Sequence, residues 1–125
     1  MKRHPVFFIL LTLFSATAWA QIQIQAPALS RIRHDQATIE WTTNTESFCA
    51  IEYGNTPRFD KKRTDEHYAK GHTITLKNLK PATYYFFRIV AEDNRKQVST
   101  SETYSFTTHA FTDFDQPLLK ILSPP

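Results

Sequence analysis

One cysteine and two glycines are all that this chain of 125 residues holds of either type. The lone Cys49 excludes an intrachain disulfide and leaves a thiolate zinc site short of ligands. Gly54 and Gly71 stand apart, so a glycine-rich phosphate or dinucleotide loop is excluded. Sustained helical periodicity, internal repeats and low-complexity stretches are all missing. An excess of charge of one sign is missing too. Lys and Arg number 15 against 12 Asp and Glu, a formal net charge of +3. Lys2 and Arg3, at the extreme N-terminus, supply two of those three surplus charges. What remains makes no electrostatic case for nucleic acid or for a membrane surface.

The N-terminus reads as an export signal. Lys2, Arg3 and His4 form a short basic start, and Val6 to Phe14 is almost unbroken apolar sequence. Ala18-Trp19-Ala20 puts small residues at the two positions a signal peptidase accepts. A membrane-spanning helix needs about 20 apolar residues, more than this run offers. The expectation is cleavage after Ala20, a mature chain starting at Gln21, no transmembrane anchor after cleavage, and a periplasmic or secreted location. Gln21, and not a cysteine, stands directly after the cleavage site, which argues against a lipid anchor. The expected organisation is a signal peptide over 1–20, one domain over 21–108 and a C-terminal tail over 109–125. A domain of about 100 residues without a disulfide depends on its core.

Past Gln21 the pattern is period-two alternation cut by turn residues, which predicts short strands in a sandwich or barrel. The predicted strands are Ala28 to Arg33, Ala37 to Thr43, Phe48 to Tyr53, His72 to Leu76, Tyr84 to Glu92 (the longest) and Ser99 to Thr107. Ile39 and Trp41 share one face of the second. The charged stretch from Arg58 to Gly71 is expected to hold at most one short edge strand, since charges guard an edge against wrong pairing.

The most specific segment is Leu79-Lys80-Pro81-Ala82-Thr83-Tyr84-Tyr85-Phe86-Phe87. A Leu-x-Pro-x-Thr-x-Tyr series leading into an alternating strand resembles the E–F corner of fibronectin type III domains. That resemblance implies an all-β, immunoglobulin-like sandwich of about seven antiparallel strands. It makes Tyr85 the corner tyrosine, with its ring in the core and its hydroxyl on nearby backbone. Leu79 and Pro81 would set the corner, and Trp41 would be the core tryptophan. Ile51-Glu52-Tyr53-Gly54-Asn55-Thr56-Pro57 and the closing Ser105-Phe106-Thr107-Thr108 are similar to bacterial exported type III domains. They are also similar to the N-terminal domain that precedes the catalytic domain of purple acid phosphatases. The turn at Asn94-Arg95 lacks the glycine usual in such relatives, and Asn94 is expected to take the left-handed conformation instead. Arg-Gly-Asp is absent, so integrin recognition does not carry over.

No catalytic, metal or cofactor constellation emerges, and the chain reads as a non-enzyme without a cofactor. His34, His67, His72 and His109 are scattered, and His67 and His72 are at no strong zinc spacing. His72 reads as strand-edge packing. Cys49 shares inward parity with Ile51 and Tyr53 and reads as a buried small hydrophobe. The cations Lys61, Lys62 and Arg63 read as a solvated face offset by Asp60, Asp65 and Glu66.

The informative feature is the far side of the strand from Tyr84. With Tyr85, Phe87 and Ile89 inward, Tyr84, Phe86, Arg88 and Val90 point outward, and Phe48 has the same parity. Phe48, Tyr84, Phe86 and Arg88 are the candidate binding face. Either a partner covers it or the apolar tail from Phe111 to Leu122 does. Three functions remain open: a non-enzymatic binding or spacer module contacting a protein or an envelope polymer, an accessory domain working with a phosphatase-like hydrolase, and a polysaccharide-binding module.

Overall fold

The computed structural model describes residues 21–112. Residues 1–20, expected to be a signal peptide, and tail residues 113–125 lie outside the described residues. Six strands follow in order: β1 (Ala28–Ser30), β2 (Ala37–Gly54), β3 (Lys61–Leu76), β4 (Tyr84–Glu92), β5 (Val98–Thr100) and β6 (Tyr104–Thr107). All pair antiparallel.

The two strands expected at Ala37 to Thr43 and Phe48 to Tyr53 are halves of the single strand β2. Its first half lies between β1 and the end of β3, with Ala28 opposite Glu40 and Ile39 opposite Ile74. Its second half lies between the start of β3 and β4, with Ile51 opposite both Arg63 and Ile89. Between the halves the β2–β3 register slips twice, at Thr42/Ser47 and at Ser47/Cys49. Extra residues on one strand of a pair bend it, and here they turn the hairpin from one layer into the other. Buried hydroxyls fill the bend. Thr43 Oγ1 donates to the Thr45 carbonyl at 2.7 Å and lies 3.3 Å from Ser47 Oγ. The hairpin therefore belongs to both layers of the sandwich, and the strand count is six among the described residues.

The charged stretch forms much more strand than expected. From Lys61 to Gly71 it makes up the longer part of the 16-residue β3, and His72 to Leu76 completes the strand. Lys61 to Thr64 are exposed, so their charges stay in water while the backbone pairs with β2. Charge on that edge is thus compatible with pairing along one side only. The stretch from Ser99 to Thr107, expected as one strand, splits into β5 and β6. Ser101 bridges the gap: Ile89 N–H donates to its Oγ at 2.8 Å, and its own N–H donates to the Ile89 carbonyl at 2.8 Å. At the β4–β5 turn the left-handed residue is Lys96, with φ of 66°, and not Asn94. The Asp93 carboxylate dictates this, because Oδ1 accepts from the Arg95 and Gln97 N–H groups at 2.9 and 3.0 Å.

One core joins the layers, centred on Ile39, Ile51, Leu76, Phe87 and Ile89. Trp41 is buried and stacks on His72, with centroids 5.4 Å apart. Its indole Nε1 is buried without a hydrogen-bond partner among the described residues. The corner before β4 is tied to both neighbours. Leu79 is buried, and its N–H donates to the Asp35 carbonyl at 2.9 Å. Pro81 is exposed and flanked by positive φ at Asn78 (58°) and Ala82 (47°). The Tyr85 ring is 3% exposed and stacks on Phe106, and its hydroxyl accepts from the Lys80 N–H at 2.8 Å. Thr108 Oγ1 donates to the Lys80 carbonyl at 2.6 Å and closes the corner against the end of β6.

Candidate functional site

The alternation of β4 is complete. Tyr85, Phe87, Ile89 and Ala91 are buried, while Tyr84 is exposed and Phe86, Arg88, Val90 and Glu92 are partly exposed. Partners in register continue that outward face. Ser105 of β6 and Gly54 of β2 lie opposite Phe86, Glu52 lies opposite Arg88, and Lys62 of β3 lies opposite Glu52. Phe48 stands at the far end, opposite Glu92.

The four expected contact residues therefore share one face, in two groups. At the foot, Tyr84 is 50% exposed and meets Phe86 edge-on, with centroids 5.0 Å apart and rings at 80°. The Tyr84 hydroxyl donates to Ser105 Oγ at 2.7 Å. Arg88 donates through Nη2 and Nε to Glu52 Oε2 at 2.9 and 3.2 Å. Its guanidinium also lies 4.6 Å from the centre of the Phe59 ring, a cation–π contact. At the head, Phe48 is 47% exposed and packs on Tyr68 at 4.9 Å. Phe59 and Tyr68 escape sequence reasoning because both sit among charged residues with no alternation to place them. Phe59 holds a φ of 50°, which is uncommon for a bulky side chain.

The last described residues, 109–112, turn to other partners. After β6, His109 N–H donates to the Arg33 carbonyl at 3.1 Å, and Phe111 lies edge-on to His34 at 5.0 Å. Arg33 and His34 belong to the β1–β2 loop, at the base of the other layer.

A second cluster is internal. His72, expected at a strand edge, has a fully buried side chain. Its Nδ1 lies 2.9 Å from Asp65 Oδ2 and its Nε2 lies 2.8 Å from the Ala69 carbonyl, so both nitrogens face acceptors. Asp65 Oδ1 takes the exposed His67, through Nδ1 at 2.8 Å and N–H at 3.1 Å. Burial pushes the Asp65 carboxyl up, but the bonds from His72 and His67 outweigh it and hold the carboxyl below its ordinary value. Asp65 is opposite Cys49 in the ladder. Burial pushes the Cys49 thiol up, against smaller opposing effects from Ser47 and Trp41. The cluster ties the bend of β3 to the core. No hydroxyl or thiol among the described residues hydrogen-bonds to either imidazole, and no group of three His, Cys, Asp or Glu is arranged to hold a metal ion among them.

Comparison with known proteins agrees with this architecture. The model of the family described as the purple acid phosphatase N-terminal domain matches residues 22–108. The chain is 30% identical over 92 residues to fibronectin type III domain containing protein 3C1 of Mus musculus. The match takes in 68% of this chain and spans 7% of that much longer protein. Among solved structures, the type III domain of human fibronectin type III domain containing protein 3 superposes with a TM-score of 0.55 at 16% identity, covering 78% of this chain and 93% of that one. A short form of the sensor domain of the anti-sigma factor RsgI4 from Pseudobacteroides cellulosolvens gives 0.54 at 19% identity, covering 75% and 100%. The chain belongs to the family of purple acid phosphatase N-terminal domains and has the fibronectin type III fold.

Proposed function

We propose that this protein is an exported, non-enzymatic binding module that contacts another protein through the outward face of β4. The observation that carries this reading is the pair of half-exposed rings, Tyr84 and Phe48, on a sheet face with Phe86 and Arg88 between them. Covering a half-exposed ring recovers about 1 kcal/mol, half the value of full burial. Aromatic and Arg side chains on a rigid face are the usual anchors of protein interfaces. The other cover considered, the apolar tail to Leu122, falls on residues outside the described ones after Thr112. A sugar polymer is less well served, because stacking needs rings lying flat and Tyr84 and Phe86 stand at 80° to one another.

The family match supports a second reading, an accessory domain acting in trans with a phosphatase-like hydrolase. Phosphate-ester hydrolysis by that enzyme, with and without the added chain, tests it.

The main test is the double change Tyr84→Ser with Phe86→Ser. The variant is expected to keep its β-sheet circular dichroism and lose the partners that the wild-type mature chain retains from an envelope extract. A folded variant that retains every one of them overturns the reading.

A further inference from the structure

Among the described residues β3 pairs with β2 alone, so the far side of its backbone from His72 to Leu76 has no strand beside it. The two ends of β3 differ in what guards that edge. Lys61, Lys62 and Arg63 stand in a row at its start, a common protection against a second chain. His72–Leu76 has no exposed charge, no proline and an unbroken register with β2 from Ala37 to Trp41. Open space lies alongside. A cleft of about 270 Å³ runs by Thr73, Ile74 and Thr75, with Arg63 to His67 as its far wall. In that wall Asp65 is taken by His67 and His72, and Arg63 and Glu66 add one charge of each sign.

The edge is complementary to itself. Residues opposed in an antiparallel pair lie on the same face of the sheet. Centred on Ile74, a second copy puts Ile74 against Ile74, Thr73 against Thr75 and His72 against Leu76. Each pair then joins like faces, because His72, Ile74 and Leu76 are buried while Thr73 and Thr75 alternate with them on the outer side. Threonine pairs across strands are favourable.

One residue further, the same register sets Lys77 against Gly71. A Cβ at Gly71 would meet nothing within 4 Å. The outer surface there is a hollow of about 380 Å³ lined by Ala26, Ala28, Glu40 and Thr42 among others. Glu40 and Lys77 are exposed, and neither has an ion-pair partner among the described residues. Glu40 is one strand further in, opposite Thr73. Strand spacing and rise place its Cα about 12 Å from that of the partner's Lys77, within the joint reach of the two side chains.

We propose that this protein pairs with a second copy of itself through the His72–Leu76 edge, antiparallel about a two-fold axis at Ile74, with Lys77 of each copy on Glu40 of the other. The pairing does not depend on the β4 reading. Its axis is perpendicular to the sheet, so both copies turn the outward face of β4 the same way and offer a divalent contact.

The test is sedimentation velocity of residues 21–125 from micromolar to millimolar concentration, with amide exchange read at both ends of the range. The expected result is a concentration-dependent dimer whose added protection lies along His72–Leu76. Glu40→Lys and Lys77→Glu, each at an exposed position, should each weaken the dimer roughly tenfold by reversing two exposed pairs. An equimolar mixture of the two variants should restore it, since the mixed dimer regains both Lys–Glu contacts; a folding defect in either variant is not repaired by mixing. A chain that stays monomeric throughout overturns the proposal. A dimer that both reversals leave unchanged, or that mixing does not restore, overturns the register. Added protection along Tyr84 to Arg88 instead overturns the edge and puts the second copy on the β4 face. Protection of the outward amides of His72–Leu76 at every concentration assigns the edge to another part of the same chain and overturns a second copy as its occupant.

Discussion

Tyr84 and Tyr85 are adjacent in sequence and differ in everything that decides the cost of losing a hydroxyl. Tyr85→Phe keeps the ring stacked on Phe106 and removes one acceptor, the Oη that receives the Lys80 N–H at 2.8 Å. The net value of a hydrogen bond is about 1 kcal/mol, and a buried N–H left dry costs about 1–3 kcal/mol. Lys80 itself is exposed, so water can reach its backbone in part. The expected loss is about 1–2 kcal/mol, toward the upper end if Leu79 and Thr108 keep water out.

For a domain of this size that loss lowers the melting temperature by roughly 4–8 °C per kcal/mol. In urea, with a slope of about 1–1.5 kcal/mol/M, it moves the midpoint by about 1 M. Tyr84→Phe is the control. Its hydroxyl bonds Ser105 at an exposed position, where water replaces the partner, and the cost should stay within about 0.5 kcal/mol. Equal midpoints for the two variants would refute the corner assignment of Tyr85. An altered slope would mean that the substitution changed the compactness of a state and not the bond alone.

Two further outcomes follow from the internal cluster. Cys49, with its thiol buried and pushed toward the neutral form, should react with a thiol reagent only as fast as the domain opens. Labelling at the rate of a free thiol in native buffer would contradict its burial. Asp65 has a folded pKa below its unfolded value. It therefore contributes stability that is fully present above about pH 4 and lost as pH falls through the folded value. Urea midpoints measured from pH 7 to pH 3 should show that loss, and Asp65→Asn should begin lower at pH 7 and fall less. An identical acid slope in the variant would remove Asp65 from the account.

Parity was legible in the sequence wherever one face is dry. Tyr84 to Glu92 alternates without a fault because Tyr85, Phe87, Ile89 and Ala91 must all enter the core. The corner was legible because Leu79 and Tyr85 recur at a fixed spacing on either side of Pro81. The β2–β3 bend was not. A strand that crosses from one layer to the other keeps its inward phase, and the polar run Thr43-Asn44-Thr45-Glu46 looks like a loop. Its strand character comes from pairing with β3 and from the Thr43 and Ser47 hydroxyls, which are long-range facts. His72 was misplaced for the same reason. Its partner Asp65 lies across a bulge, where spacing along the chain says nothing about distance. Phe59 joined the face only through Arg88, a contact between segments 29 positions apart.

The same arrangement would let the proposed contact face bind without rearrangement. Ordering a rotamer-rich side chain on association costs about 0.5–1.5 kcal/mol, and a face already ordered avoids it. Tyr84 is pinned by Ser105, Phe86 by Tyr84, and Arg88 by Glu52 on one side and Phe59 on the other. Beneath them, Tyr85 and Phe87 stack into the core and fix the phase of β4, so the outer rings cannot slip without the inner ones. The corner bond from Lys80 to Tyr85 is thus coupled to the proposed contact surface through a single residue step. A contact that depends on these rings should weaken in Tyr85→Phe only where that variant also loosens β4. Amide exchange along Tyr84 to Arg88 reads this directly. Weakened binding with unchanged exchange protection would break the coupling between core and face.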